Sequence, residues 1–401
     1  MKYKLTLLFL AIFPFLHAQP LKSFSVPPRT TTGTAILSYN INSLNIPEGT
    51  GFKLIEKMSR RSVPFQKQNE KIYWKIDARQ ASQFLEYEIV KDEKPEESTN
   101  AFEFRHEKGL LSMYKNGTEV IGYQTEVMPV PDGVDPSYSR SGFIHPLNTL
   151  SGKRLTRVQP KDHYHHYGIW NPWTLVEYDG DTLDFWNLNQ KKGTVRFAGL
   201  IHKVSGPVFS EYQVLHEHVV LNKGKNEVAL NETQTVRLYP LDEKSYLADL
   251  TFTYNCPTEK PFNILEYRYA GLGWRTTEEW DNQNSFVLTS EGKSRKDSDG
   301  STARWCIVQG KLGDGQGGVV MLSHPQNYNH PEPLRIWPEN QYRRGDMFAN
   351  FAPTKNKDWR MQPGKTYTLK YRLLVFDGEM TAEKAEAAWQ SFAKPIEISI
   401  N

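Results

Sequence analysis

Residues 246–256 read Tyr-Leu-Ala-Asp-Leu-Thr-Phe-Thr-Tyr-Asn-Cys, and the alternation in their second half decides the fold class. Leu250, Phe252, Tyr254 and Cys256 fall on one side of an extended chain, because successive side chains of a strand point to opposite faces. Thr251, Thr253 and Asn255 take the other side, so the segment reads as a strand with one buried face. The same grammar runs outward in both directions. Upstream lie Phe102 to Phe104, Leu111 to Tyr114, Ile121 to Tyr123, Val214 to Val220 and Glu232 to Tyr239; downstream lie Val319 to Leu322 and Thr366 to Phe376. Helical pattern is scarce. Its one clear case starts at Thr381, a good N-cap, and puts Ala385, Ala388, Trp389 and Phe392 on one side, as a helix packed outside a sheet requires.

So many strands between residues 100 and 395 predict an all-β domain of large sheets stacked face to face. A sandwich of that kind leaves a concave face that gathers side chains distant in sequence. Before it, Ala35 to Tyr39, Phe52 to Ile55, Ile72 to Ile76 and Phe84 to Ile89 alternate with turn residues over 19–92. They suffice for a small β-sandwich with its own core. The run from Lys91 to Ser98 is charged, contains Pro95 and is poor in apolar residues, which reads as a linker.

Lys+Arg 49 against Asp+Glu 46 gives a formal net charge of +3, which makes no electrostatic case for nucleic acid. Lys2 and Lys4, the apolar run Leu5 to Leu16 and the small Ala18 predict a signal peptide over 1–18. No later stretch is apolar enough to span a bilayer, so the expectation is a periplasmic or secreted protein. Cys256 and Cys306 are too few for a disulfide framework, and whether they pair stays open.

The chemistry concentrates between Phe143 and Trp173, where four of the eleven histidines stand: His145, His163, His165 and His166. Histidine acts as acid, base or metal ligand near neutrality with little tuning. Asp162 can orient a neighbouring imidazole, and Trp170 and Trp173 offer apolar faces for a sugar ring. On a strand, His163 and His165 would share one face and His166 the other. Two imidazoles so spaced can bind one metal, with His145 or His324 as a third ligand. They can equally serve proton transfer, and the spacing does not choose. By the same reasoning Glu266 and Arg268 would share a strand face and bring a carboxylate and a guanidinium into one cleft. Asp297-Ser298-Asp299-Gly300 reads as a solvated turn, since the ligand spacing of a calcium loop is missing. His324 follows directly on a buried strand, and Arg335 and Trp337 add a cation and an aromatic able to hold a hydroxyl-rich ligand.

The segments IHPLNTLSG (144–152) and PKDHYHHYGIW (160–170), with YAGLGWR, DSDG and LSHPQN in matching order, resemble the bacterial PmoA-type family, a domain of unknown function. The resemblance runs from about Phe102 to Pro395. It implies a galactose-mutarotase-like supersandwich, an architecture shared by sugar epimerases, polysaccharide lyases and glycosidase domains. A membrane methane monooxygenase is disfavoured, because the sequence has no later apolar span.

Together these readings predict an exported carbohydrate-active protein working by acid–base catalysis, as a lyase or a mutarotase- or epimerase-like enzyme. His163 or His166 would act as base or acid, Glu266 as partner and His324 as a second proton donor. His145, His165, Trp170, Trp173, Arg268, Arg335 and Trp337 would hold the carbohydrate. A non-catalytic glycan-binding protein and a metal-dependent glycoside hydrolase remain the alternatives.

Overall fold

The computed structural model describes residues 20–28, 34–42, 51–77, 80, 82–92, 99–222, 225–394, 396 and 398–400. The expected signal peptide and most of the expected linker lie outside them. Strand Ser245–Asn255 sits near the middle of an eight-stranded antiparallel sheet, between Lys225–Pro240 and Tyr367–Asp377. Leu250 faces Val236 on one side and Tyr371 on the other, and Leu250, Phe252 and Tyr254 are fully buried. Cys256 lies just beyond the strand and is only partly covered. The sheet continues outward through Ser210–Asn222 to Gly193–Ser205 at one edge. At the other it runs through Gly315–Ser323 and Trp305–Leu312 to Ser285–Thr289.

A second eight-stranded sheet lies across it. Its order is Leu334–Ile336, Phe348–Phe351, Gly273–Arg275, Ile169–Trp170, Phe143–Leu147, Thr118–Gln124, Leu110–Lys115, Glu103–Glu107. One apolar cluster fills the space between the two sheets, with Leu111, Ile121 and Tyr123 from one meeting Tyr212, Val214 and Leu250 from the other. Each such side chain contributes roughly 1.5–3 kcal/mol when fully removed from water, which makes this layer the main source of stability. The two sheets differ in build. The first is made of strands up to 16 residues long, whereas many strands of the second are short and joined by long loops. Those loops carry the site.

The N-terminal residues form a five-stranded and a three-stranded sheet around Phe24, Leu37, Leu54, Ile72, Trp74 and Tyr87. The C-terminal strand Ser399–Ile400 returns to this unit and pairs with Pro20–Val26. Helix Ala382–Ala393 begins where expected, with Thr381 Oγ1 accepting from Lys384 N at 3.4 Å. It buries Ala385 and Trp389 against the first sheet, and Trp389 Nε1 donates to the Ser323 carbonyl at 2.9 Å. Both cysteines are free thiols. Among the described residues, no helix is long and apolar enough to cross a membrane.

Candidate active site

The histidine segment is not a strand. Pro160 and Gly168 bracket it, and between them the chain turns twice: His163 N donates to Pro160 O at 2.9 Å and His166 N to His163 O at 3.1 Å. Proline and glycine are the strongest local breakers, and here they outweigh the apparent alternation. Gly168 sits at φ +60, and a Cβ there would lie 2.2 Å from the Ile144 carbonyl, so only glycine lets the turn run back along strand Phe143–Leu147. The consequence is chemical. A pleat would have split the imidazoles between two faces, whereas the turn brings all three together, with ring centroids 4.5 Å (163–166), 4.9 Å (165–166) and 5.1 Å (163–165) apart.

The three rings have different surroundings. His166 is buried against Trp170, Trp337 and Phe348, and its Nδ1 has no hydrogen-bond partner. Burial, aided by the neighbouring histidines, drives its pKa well below the ordinary value. Burial likewise brings His165 down to about 3, with His163 adding to the effect. Both are therefore neutral at neutral pH. His163 is more open and is held at both ends: Nδ1 lies 3.1 Å from Asp162 Oδ2, and Nε2 lies 3.3 Å from the Tyr342 hydroxyl.

Asp162 is kept ionised. Burial pushes its pKa up, but the His163 hydrogen bond and the charges of Arg275 and Arg157 outweigh this and hold it at about 2. Arg275, fully buried at the end of strand Gly273–Arg275, donates to Asp162 Oδ2 at 2.7 Å and lies 4.5 Å from the centre of the Trp337 ring. Asp346 balances the cations from below, pairing with Arg157 and with Arg344 at 2.8 Å. An ionised Asp162 favours the tautomer with its proton on Nδ1, which leaves Nε2 of His163 as the acceptor facing Tyr342.

Tyr342 comes from a loop that another arginine shapes. Arg295 donates to the carbonyls of Trp337 (3.3 Å), Pro338 (3.0 Å), Gly345 (2.9 Å) and Asp346 (3.1 Å), tying both ends of 337–346 together. Within it Tyr342 and Arg343 are both left-handed, at φ 52 and 63. Such a conformation costs non-glycine residues on the order of 1–2 kcal/mol each, and it persists here because the surrounding bonds fix the loop. The strain places the phenol at the mouth of a hollow of about 340 Å³. Trp186, Trp337 and Phe348, each almost wholly covered by protein, line its apolar side, while Asn187, Gln341, Tyr269, Arg268 and Arg335 add polar groups. Asp184 fixes the backbone of Trp186 and Asn187, and Asn187 Oδ1 in turn accepts from the Tyr269 hydroxyl at 2.9 Å.

Of the residues expected from sequence, His163, His165, His166, Arg268, Arg335 and Trp337 line this hollow together. The others do not. Trp170 is buried behind His166, and Trp173 lies in the main core against Tyr254 and Trp359, so neither indole presents a face to a ligand. Trp186 and Trp337 line the hollow instead. His145 is covered, bonded to Thr156 Oγ1 at 3.0 Å, and lowered to about 4 by burial. Residues 265–269 form no strand, so Glu266 and Arg268 share no face; Glu266 is exposed and does not line the hollow. His324 packs edge-on against Phe392 of the helix, in a separate cleft with Lys370 and Arg372. The expected solvated turn is exposed but for Ser298, and its Asp299 pairs with Arg335 at 2.6 Å.

Sequence reasoning missed Trp186, Tyr269, Gln341, Tyr342 and Phe348, and the supporting roles of Arg275, Arg295 and Asp346. The signal available was the turn-rich run 337–346, which combines two aromatics, a glycine and four charged groups close after a buried strand. For a metal, the three imidazoles offer ring nitrogens within 4.8 Å of one another. His165 and His166 are neutral, as ligands must be, and Asp162 stands behind His163 as outer-shell carboxylates do. The donor set fits a divalent cation of the zinc type.

Among solved structures, the chain is similar to an alpha-mannosidase from Enterococcus faecalis (9% identity, TM-score 0.44), covering 95% of this chain and 46% of that one. It is also similar to a heparan sulfate lyase mutant from Pedobacter heparinus (9% identity, TM-score 0.34), with 76% and 39% covered. A third is a GalM/aldose epimerase homologue from C. elegans (8% identity, TM-score 0.31), with 70% and 100% covered. The chain thus spans about half the length of the first of these proteins. No curated protein matches it by sequence. The PmoA-type resemblance of the histidine motif has its counterpart only in a family without an assigned activity. Residues 111–390 match the Family of unknown function (DUF6807), and the chain belongs to that family.

Proposed function

We propose that the hollow binds a carbohydrate and moves a proton on it, with His163 as the base and Tyr342 as its partner acid. The observation that carries this reading is the chain Arg275–Asp162–His163–Tyr342, which ends at the hollow's mouth. Asp162 orients His163 and stabilises the imidazolium that forms when Nε2 takes a proton. Arg275 keeps Asp162 in place. Tyr342 can return a proton to a leaving oxygen on the same side of the ring. His165 and His166 stay neutral and serve as hydrogen-bonding groups rather than as acids. The volume of about 340 Å³ falls in the range of small-ligand sites, and apolar side chains beside polar groups suit a sugar ring's mixed surface. A lyase-like reaction follows from a base and an acid so close together; export through the segment 1–18 belongs to the same proposal.

Incubation with a panel of oligosaccharides, read by mass spectrometry, tests it. Elimination yields fragments whose masses sum to the substrate, and hydrolysis adds one water. Tyr342→Phe should slow turnover while leaving binding near wild type. Glycan binding without any product would replace catalysis by recognition alone. The imidazole spacing supports a second reading, a metal-dependent hydrolase. Stoichiometric metal in the purified protein, lost from a His165→Ala/His166→Ala variant together with hydrolysis, would establish that one instead.

A further inference from the structure

The walls of the hollow are unbalanced in charge. Arg268 and Arg335 line it, and no aspartate or glutamate does so among the described residues. Behind them Lys355 donates to the Arg268 carbonyl at 3.1 Å and reaches Asp299 Oδ1 at 3.4 Å, while Asp299 Oδ2 takes Arg335 at 2.6 Å. Two cations, Arg335 and Lys355, therefore share one carboxylate, and Arg268 is left over. The guanidinium of Arg268 lies 5.4 Å from the Tyr269 ring centre and 5.6 Å from that of Tyr267, with no carboxylate partner among the described residues. The acids nearest the histidines are already engaged: Asp162 by His163 and Arg275, and Asp346 by Arg157 and Arg344. A site that concentrates cations while withholding anions is complementary to an anionic ligand, and guanidinium groups match a carboxylate in geometry as well as charge.

Resting on the proton-transfer reading above, we infer that the ligand is an acidic carbohydrate, a uronate whose ring carboxylate is held by Arg268 and Arg335. The chemistry explains why a base in this hollow would need them. A C–H on a sugar ring is acidified when it stands next to a carboxylate whose charge is neutralised. His163 Nε2 takes the C5 proton, and the electron pair of that bond moves into the carboxylate, giving an enediolate paired with the arginines. The pair can then return to form the C4–C5 double bond as the C4–O bond breaks, with Tyr342 protonating the departing oxygen. With base and acid 3.3 Å apart on one side of the ring, this elimination balances with no oxidant and no added water.

Calorimetry on the intact protein separates this inference from the reading beneath it. The probes are a galacturonate and a glucuronate oligomer, their carboxyl-reduced neutral counterparts, and a sulfated neutral oligomer. An acidic oligomer should bind at least roughly tenfold more tightly than its reduced form, the scale of one charge-assisted contact. Arg268→Gln, at an exposed position where folding is not at stake, should erase most of that preference. Arg335→Gln should do the same, with circular dichroism to check that the loop around Asp299 survives. Equal affinity for acidic and reduced oligomers would overturn the uronate assignment while leaving the carbohydrate reading intact. Tighter binding of the sulfated oligomer would overturn the carboxylate in favour of sulfate. Absence of binding to every oligomer would overturn both.

Discussion

Two histidine clusters stand in this molecule, and only one of them faces a hollow. In the main core His216 Nδ1 and His218 Nε2 lie 2.9 and 3.0 Å from the two carboxylate oxygens of Glu232, with Tyr123 on the far side of His216. All of these groups are buried. Burial pushes the Glu232 carboxyl up, but its two histidine hydrogen bonds dominate and hold it at about 2. That cluster is closed: its carboxylate is shared between two rings, and no described cavity reaches it. At the hollow the pattern is reversed. One acid serves one ring of three, and the three imidazoles line a cavity. Imidazoles in number do not mark a site. What marks it is that the rings line a cavity a ligand can enter.

The sharpest way to break this contrast is to remove Glu232. Glu232→Ala strands two buried histidines without their acid, and chemical denaturation should register a loss of about 3–5 kcal/mol. A loss under about 1 kcal/mol would mean the core cluster is not a closed structural unit. Glu332 extends the comparison to a third buried group, bonded to Ser323, Tyr371 and Asn327. Burial dominates there and raises its pKa to about 7, with those hydrogen bonds opposing in part. Its folded pKa exceeds the unfolded value of about 4.5, so the unfolded chain releases the proton first and stability falls as pH rises from about 4.5 to 7. Urea unfolding should show a decline of order ~3 kcal/mol over that window, flat above it, and Glu332→Gln should remove the slope.

On the open side, His163→Ala should cut turnover of the responsive substrate by roughly 100-fold or more, the scale of lost acid–base catalysis, with unfolding little changed. Intact turnover would sink the assignment of His163 as base. Smallest should be Thr381→Ala, which removes the N-cap of the helix far from both clusters. Denaturation should show about 1 kcal/mol lost, with activity untouched; a loss of activity would mean that the helix couples to the hollow.

Five strands of the first sheet and three of the second were readable from alternation, because one-sided burial imposes a period of two on the residue types. The short strands Phe143–Leu147, Ile169–Trp170, Gly273–Arg275, Leu334–Ile336 and Phe348–Phe351 were not. The helix at Ala382–Ala393 was readable from its cap and its apolar stripe for the same kind of reason. The site was legible in part. The histidine segment stood out by composition, yet its conformation was misjudged, since three imidazoles carry no burial signal and the breakers at Pro160 and Gly168 were decisive. Trp170 and Trp173 were credited with a sugar face, whereas it is Trp186 and Trp337 that line the hollow. An indole's sequence does not say whether its face meets protein or solvent. Glu266 and His324 failed because a shared cleft was assumed for segments that the second sheet and its loops keep apart.

By itself, then, the chain of residue types determined the class: apolar positions every second residue can be buried only by sheets packed on sheets. It also determined that imidazoles and a carboxylate would be neighbours around residue 163. Tertiary structure alone decided what surrounds them. Tyr342 lies 179 residues from His163 and comes to it on a loop held by Arg295, while Arg275 lies 113 from Asp162 and is brought there by the pairing of Gly273–Arg275 with Ile169–Trp170. Contacts across such separations depend on how sheets stack and where loops close, and no local pattern encodes them.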